Sequence, residues 1–283
     1  MRSWTDATGA AGARGIMRPA QVGTVYELGR VDVAAELAPY IEYYWTIRWA
    51  LDSPRRETSS VLSHPAVHLS IEEGDQAARH GHPLPSVLVH GVITRRFDIE
   101  LAGRGRVLGV KFRPGGFTAL TGVAADRFTD RVESLTELRA GAADLRDGVL
   151  GLETDEARAR LADERLSRWL PEVEDRDYAL LREVVDDVAG DRTLIRAAAV
   201  ARRHGLTDRS LQRLLRRYTG ITASWLIRRY RLLDAMDALQ RDPGCDIAEL
   251  AVTLGWYDQP HFTRDFTAAV GVPPVRYVRG LGE

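Results

Sequence analysis

The chain of 283 residues carries 39 Lys+Arg against 40 Asp+Glu, with 45% hydrophobic and 28% charged residues, a balance that argues against a disordered or membrane protein. No apolar run approaches the length of a membrane span, and "MRSWTDATGAAGARG" lacks the apolar core of a signal peptide, so a cytoplasmic location is expected. One cysteine, Cys245, excludes an internal disulfide and a multi-cysteine zinc cluster.

Residues 1–20 are rich in Gly and Ala without periodicity and read as a flexible tail. From residue 21 to about 130 the pattern has period two. In "YYWTIRW" Tyr43, Trp45, Ile47 and Trp49 fall on one face, and in "VHLSI" Val67, Leu69 and Ile71 do so while His68 and Ser70 face away. "FDIEL" and "LGVKF" alternate too, and the "AGRG" between them reads as a hairpin turn. Short strands at this spacing predict a β-sandwich or small barrel.

After "RPGG" at 113–116 the pattern turns helical. Thr154 is placed to cap a helix that presents Ala162, Leu166, Trp169 and Leu170 on one face, and Pro171 stops it. Residues 131–176 thus read as a helical segment and linker, the acidic "PEVEDRD" being the junction, and 177–283 as successive short helices. Charge follows this division. Residues 190–283 hold fifteen arginines against ten acids, whereas 131–189 hold nine against sixteen, so basic charge gathers at the C-terminal end.

One motif occurs twice there. In "AVARRHGLTDRSLQRLLRRYTG" Ala201 and Gly205 would close one helix, and Thr207 would cap a second whose Leu211 and Leu214 face inward. "LAVTLGWYDQPHFTRDFTAAVG" repeats the pattern with Ala251, Gly255, a capping Asp258 and an inward Phe262. A small residue permits close crossing of two helices and a glycine the turn between them, which is the grammar of a helix-turn-helix. "TASWLIRRYRLLDAMDALQRD" between the copies has Leu226, Tyr230, Leu233, Met236 and Leu239 at helical spacing. A linking helix of about 18 residues spans about 27 Å, comparable with the roughly 34 Å between successive major-groove faces of a duplex.

These residues resemble the DNA-binding domain of the AraC/XylS family of bacterial transcription regulators. The match lies in "LTDRSLQRLLRRYTG", in "RRYRLLDAMDAL" and in "DIAELAVTLGWYDQPHFTRDFTAAVGVPPVRY", including Gly271, Pro274 and Tyr277. The resemblance implies an α+β chain: an N-terminal cupin-like β domain for sensing or dimerisation, then an all-α DNA-binding domain with two helix-turn-helix motifs joined by a long helix. Its implied partners are double-stranded DNA, RNA polymerase, a small-molecule effector and a second copy of the chain. Arg209, Gln212 and Arg213 on the first recognition helix, and Gln259, His261 and Arg264 on the second, would face base edges, where Arg suits guanine and Gln suits adenine. Arg216, Arg217, Arg228 and Arg229 are the candidates for phosphate. Pro260 departs from the family by standing where a polar contact is common.

In the N-terminal half, "GVKFRPGGFTALTG" resembles the β module of a subset of these regulators, and Arg113, Trp45 and His68 are the candidate effector contacts. Gly115 and Gly116 beside Arg113 would border an anion-accepting pocket or simply form a bulged strand end turning into a helix. Five of the seven histidines, His64, His68, His80, His82 and His90, lie within 64–90. His80 and His82 would share a strand face, but "ARHGHPLP" reads as a loop and no glutamate follows at the spacing of metal cupins, so no metal and no other cofactor is expected. Cys245 has no neighbouring base, and no enzymatic role is expected. The competing readings are an effector-modulated regulator, a metal-cupin enzyme tethered to DNA, and a regulator whose β domain only dimerises it.

Overall fold

The computed structural model describes residues 4–6 and 14–281. Strands β1 (Trp4–Asp6), β2 (Glu27–Val31), β3 (Ile41–Ala50), β4 (Arg56–Leu62), β5 (His68–Gly74), β6 (Ala78–Arg79), β7 (His82–Pro83), β8 (Ser86–His90), β9 (Arg96–Ala102), β10 (Arg104–Phe112) and β11 (Val132–Ser134) build the N-terminal half. Seven of them form one antiparallel sheet in the order β1-β2-β3-β10-β5-β8-β11, and β4 pairs with β9 in a second. Of the expected tail, residues 1–3 and 7–13 lie outside the described residues. Trp4–Asp6 pairs with β2, and Ile16 and Met17 are buried, so residues 14–17 are a packed part of the fold and not a tail.

The expected hairpin at "AGRG" does not form. β9 runs into β10 through Gly103, but β9 pairs with β4 from Arg56↔Ala102 to Leu62↔Arg96, while β10 pairs with β3 on one side and β5 on the other. Both edges of β10 are occupied, so the chain crosses from one sheet to the other at Gly103, whose φ of 56° suits a residue without Cβ.

Tyr43, Trp45, Ile47 and Trp49 do share a face of β3, and it looks toward β4 and β9 across a cavity. The opposite face is covered by α2 (Ala142–Leu150) and α3 (Asp155–Ser167), which follow the short α1 (Gly116–Thr121). Thr154 caps α3 by accepting from Ala157 N, and buried Asp163 accepts from the Tyr44 hydroxyl at 2.8 Å and from Ala34 N at 3.0 Å.

The C-terminal half comprises α4 (Arg176–Gly190), α5 (Ala197–Arg203), α6 (Asp208–Thr219), α7 (Ala223–Arg241), α8 (Ile247–Thr253), α9 (Gln259–Val270) and α10 (Pro274–Arg279). Among the described residues no helix is long and apolar enough to cross a membrane. The expected order of a β domain followed by a helical domain is therefore borne out.

The halves share one continuous apolar core. Tyr178 of α4 stacks on Tyr40 with ring centroids 5.4 Å apart and donates its hydroxyl to Pro39 O at 2.7 Å. Thr118 of α1 donates to Tyr218 O at the end of α6. Gly115 precedes α1 at φ 82°, and a Cβ there would lie 2.3 Å from Leu181 of α4. "RPGG" is thus the strand end turning into a helix, and Gly115 lets the two halves approach.

Candidate nucleic-acid interface and effector cavity

The two motifs superpose on the sequence with an offset that shifts by one residue. Leu206 N donates to Ala201 O at 2.8 Å and Trp256 N to Ala251 O at 2.9 Å, turns 50 residues apart with Gly205 (φ 63°) and Gly255 (φ 89°) inside them. The caps are 51 apart. Thr207 accepts from Ser210 N and Asp258 from His261 N, each opening a helix of 12 residues, α6 and α9, that ends on Gly220 or Gly271 in the left-handed conformation. The second turn is one residue longer and the helices are of equal length. Pro260 sits in the first turn of α9, where its missing N–H has no intrahelical partner to lose.

Packing decides which side chains remain outside. On α6 Leu211, Leu214, Leu215 and Tyr218 are buried, leaving Arg209 and Arg213 exposed and Gln212 half-buried. On α9 Phe262 and Phe266 are buried against Trp256 and Tyr277, leaving Gln259 and Arg264 exposed and His261 partly so. Arg209, Arg213 and Arg264 form no ion pair with a described residue.

His261 instead has an acidic neighbour: its Nε2 lies 3.5 Å from Asp265 Oδ2, which also accepts from Trp256 Nε1 at 2.9 Å and lies 3.4 Å from Arg228 Nε. Asp265 thus ties the buried indole of the second motif to two candidate DNA contacts. The His261–Asp265 spacing of i, i+4 was the signal that could have found it.

The phosphate candidates separate. Arg216 and Arg217 are exposed, 3.4 Å from Asp126 and 3.6 Å from Asp177, and Arg228 is exposed beside Asp265. Arg229 corrects the sequence reading. It is 2% exposed and donates to Ser63 O at 3.1 Å and Thr94 O at 2.6 Å, both in the β half. A guanidinium enclosed by two carbonyls and the Trp225 ring, 4.5 Å away, faces no solvent that a phosphate could occupy. Arg231 is buried likewise, donating to Val188 O and Asp191 O.

A cavity of about 180 Å³ lies between the two sheets. Trp45 and Trp49 of β3 form one wall because Gly109 and Gly105 stand opposite them on β10; a Cβ on Gly109 would lie 1.8 Å from the Trp45 ring. Phe97, Ile99 and Leu101 of β9 form the other wall. His68 lines the cavity, its Nδ1 accepting from Trp45 Nε1 at 3.3 Å, and burial followed by the nearby Lys111 and His90 charges lowers its pKa to about 3. The cavity therefore brings Trp45 and His68 together.

Arg113 is not there. Its Nε donates to Ala38 O at 2.7 Å and its backbone N to Tyr40 O, so it braces the junction with the helical half.

Charged groups at the cavity that the sequence did not reveal include Arg14, Glu72 and Arg79. Arg14 lines it and pairs with Asp234 of α7 at 2.7 Å. Glu72 and Arg79, both buried, pair at 2.9 Å. Burial by itself would raise the Glu72 pKa, but neighbouring His90, His80 and Arg79 outweigh it and bring it down to about 2. His80 is lowered to about 4, mainly by burial. The Cys245 thiol is pushed up by burial, Asp242 and Asp246, which keeps it protonated.

Residues 200–280 match a family described as a helix-turn-helix domain, and residues 30–134 match a domain of unknown function (DUF6597). No curated protein matches the chain. Among solved structures, the chain is similar to the C-terminal domain of AraT, a response regulator from Geobacillus stearothermophilus, at 23% identity and a TM-score of 0.35, over 38% of this chain and 88% of that one. An AraC-type transcriptional regulator from Chromobacterium violaceum gives 21% identity and 0.34 over 37% and 94%. ToxT from Vibrio cholerae gives 12% identity and 0.44 over 85% and 99%. The DNA-binding assignment rests on the residues 200–280.

Proposed function

We propose that this chain, a DNA-binding transcription regulator by its helix-turn-helix domain at residues 200–280, reads sequence with both motifs under control of a small apolar effector. Residues 177–283 are the reading unit. Arg209, Gln212 and Arg213 from α6, and Gln259, His261 and Arg264 from α9, meet base edges, while Arg216, Arg217 and Arg228 meet phosphates. α7, at 19 residues and about 28 Å, spaces the two readers so that one chain supplies both halves of a site. RNA polymerase and a second copy of the chain are the further partners of this reading, which assigns the protein to the cytoplasm and gives it no catalytic step.

The observation that carries effector control is that the cavity wall and α7 share contacts. Arg14 lines the cavity and pairs with Asp234, and Ser63 lines it and accepts from Arg229. A ligand that shifts this wall acts on the helix between the two readers. An apolar cavity of about 150 Å³ holds a benzene-sized molecule, so about 180 Å³ walled by indoles suits a molecule of one or two rings. The test is a thermal-shift screen of neutral and monoanionic aromatic compounds on the full chain, followed by DNA affinity with and without each hit. Binding at 100 times Kd stabilises by about 2.7 kcal/mol, and a hit that leaves DNA affinity unchanged overturns the control.

A further inference from the structure

At one end of the cavity three side chains from different elements converge. One carboxylate oxygen of Glu72 and one ring nitrogen each of His80 and His90 lie within 4.8 Å of one another. Glu72 and His90 project from paired strands: in the β5–β8 register His68 faces His90 and Glu72 faces Ser86, so both point to the cavity side. The Ser70 hydroxyl between them lies 2.7 Å from His90 Nε2 and also hydrogen-bonds Glu72 Oε1.

His80 arrives from the β6–β7 turn. Its backbone is left-handed at φ 53°, followed by Gly81 at φ 83°, a conformation that costs a β-carbon residue free energy and is found at functional sites. The ring stacks on Phe97 at 5.2 Å and meets His90 edge-on at 5.1 Å, yet makes no hydrogen bond with a described residue. His82 diverges, its Nε2 donating to Val132 O at 3.2 Å. Arg79, stacked 4.5 Å over Trp49, holds Glu72 Oε2 and leaves Oε1 toward the histidines. A hydrogen-bonded carboxylate and restrained imidazoles are how metal ligands are oriented.

We propose that Glu72, His80 and His90 bind one divalent transition-metal ion. Two imidazole nitrogens and one carboxylate oxygen suit Zn²⁺, Co²⁺, Ni²⁺ or Fe²⁺ and not Mg²⁺ or Ca²⁺, which take oxygen ligands. Bond lengths of about 2.0–2.2 Å require the donors to close in, and the movement falls to His80 in its two-residue turn, with Ser70 yielding its place on Glu72 Oε1. The remaining coordination positions face the apolar cavity, open to water or to a heteroatom of a molecule held between the indoles. The ion counters the buried carboxylate directly and gives the unpartnered imidazole an acceptor for its lone pair. The site stands on its own geometry and does not depend on the cavity's being an effector site.

The experiment uses the full chain, stripped with chelator, titrated with Co²⁺ and followed by its visible ligand-field absorption, with stoichiometry by elemental analysis after desalting and competition by Zn²⁺. Wild type is expected to retain about one ion per chain and to gain thermal stability on loading. His80→Asn, chosen because Asn tolerates the left-handed backbone, and His90→Gln are expected to weaken binding by more than the roughly 10- to 100-fold that loss of an outer-shell partner costs. His82→Asn is expected to bind as wild type does. Wild type that retains no ion overturns the proposal and leaves the cluster as a hydrogen-bonding end for an organic ligand, and equal loss in the His80 and His82 variants overturns it too. Wild-type stoichiometry decides even where a variant fails to fold.

Discussion

The Arg229 guanidinium of α7 donates to the Thr94 carbonyl at 2.6 Å and to the Ser63 carbonyl at 3.1 Å, linking the helix between the two helix-turn-helix motifs to the β half. Burial lowers the Arg229 pKa to about 10, which leaves it charged at neutral pH. Replacing it by Met removes two hydrogen bonds to part-buried carbonyl acceptors, each made by a charged donor and together worth about 2–4 kcal/mol. Arg229→Met is expected to lose about 2–4 kcal/mol in urea unfolding of the full chain without changing the salt slope of DNA binding. A slope smaller by about one would put Arg229 on a phosphate after all.

On the proposed reading, the exposed arginines are expected to differ in what their loss does to DNA binding. Arg213→Ala and Arg264→Ala are expected to weaken binding to the cognate site by about 1–3 kcal/mol and to relax preference at one base pair each. Arg216→Ala should weaken cognate and random duplexes alike. Equal losses on both duplexes for Arg213 and Arg264 would remove them from the base-reading set.

The cavity wall gives a pH dependence. Folded His68 stays neutral down to about pH 3, whereas the unfolded chain protonates it near its ordinary 6.5. Between those values the unfolded state binds the extra proton, so stability present above pH 6.5 is lost as pH falls. One proton corresponds to about 1.4 kcal/mol per pH unit. His68→Asn is therefore expected to flatten the decline by about that slope in urea titrations across the window, and an unchanged slope would mean that His68 takes up a proton in the fold.

Gly109 sets the depth of the cavity. An alanine Cβ would lie 1.8 Å from the Trp45 ring, so the ring must swing into the space between the sheets. Gly109→Ala is expected to cost about 1–3 kcal/mol as overpacking and to abolish the thermal shift given by any aromatic compound that wild type binds. Retained binding would place the compound elsewhere.

The duplicated helix-turn-helix was legible because its signals are local. An N-cap side chain, a glycine in the left-handed region and apolar residues at i, i+3 and i+4 act within one or two turns of helix, so Thr207, Asp258, Gly205 and Gly255 could be read in order along the chain. The same holds for the cavity face of β3, whose period-two alternation is a property of the strand alone. The strand signals could not say which strands pair. "FDIEL" and "LGVKF" have the pattern of a hairpin, yet β10 has β3 and β5 on its two edges.

What the sequence determined by itself was the helix-turn-helix identity of the C-terminal half and the β character of the N-terminal half, since periodicity and capping depend on neighbours within a few residues. Tertiary structure alone decided the rest. It took Arg229 out of the DNA-contacting set and Arg113 out of the cavity, put Arg14 between the cavity and α7, and gathered Glu72, His80 and His90. Each of these depends on contacts between residues from 8 to 220 positions apart in the chain. Which of two equivalent arginines becomes buried is fixed by the surface that docks against it, and no local pattern encodes that surface.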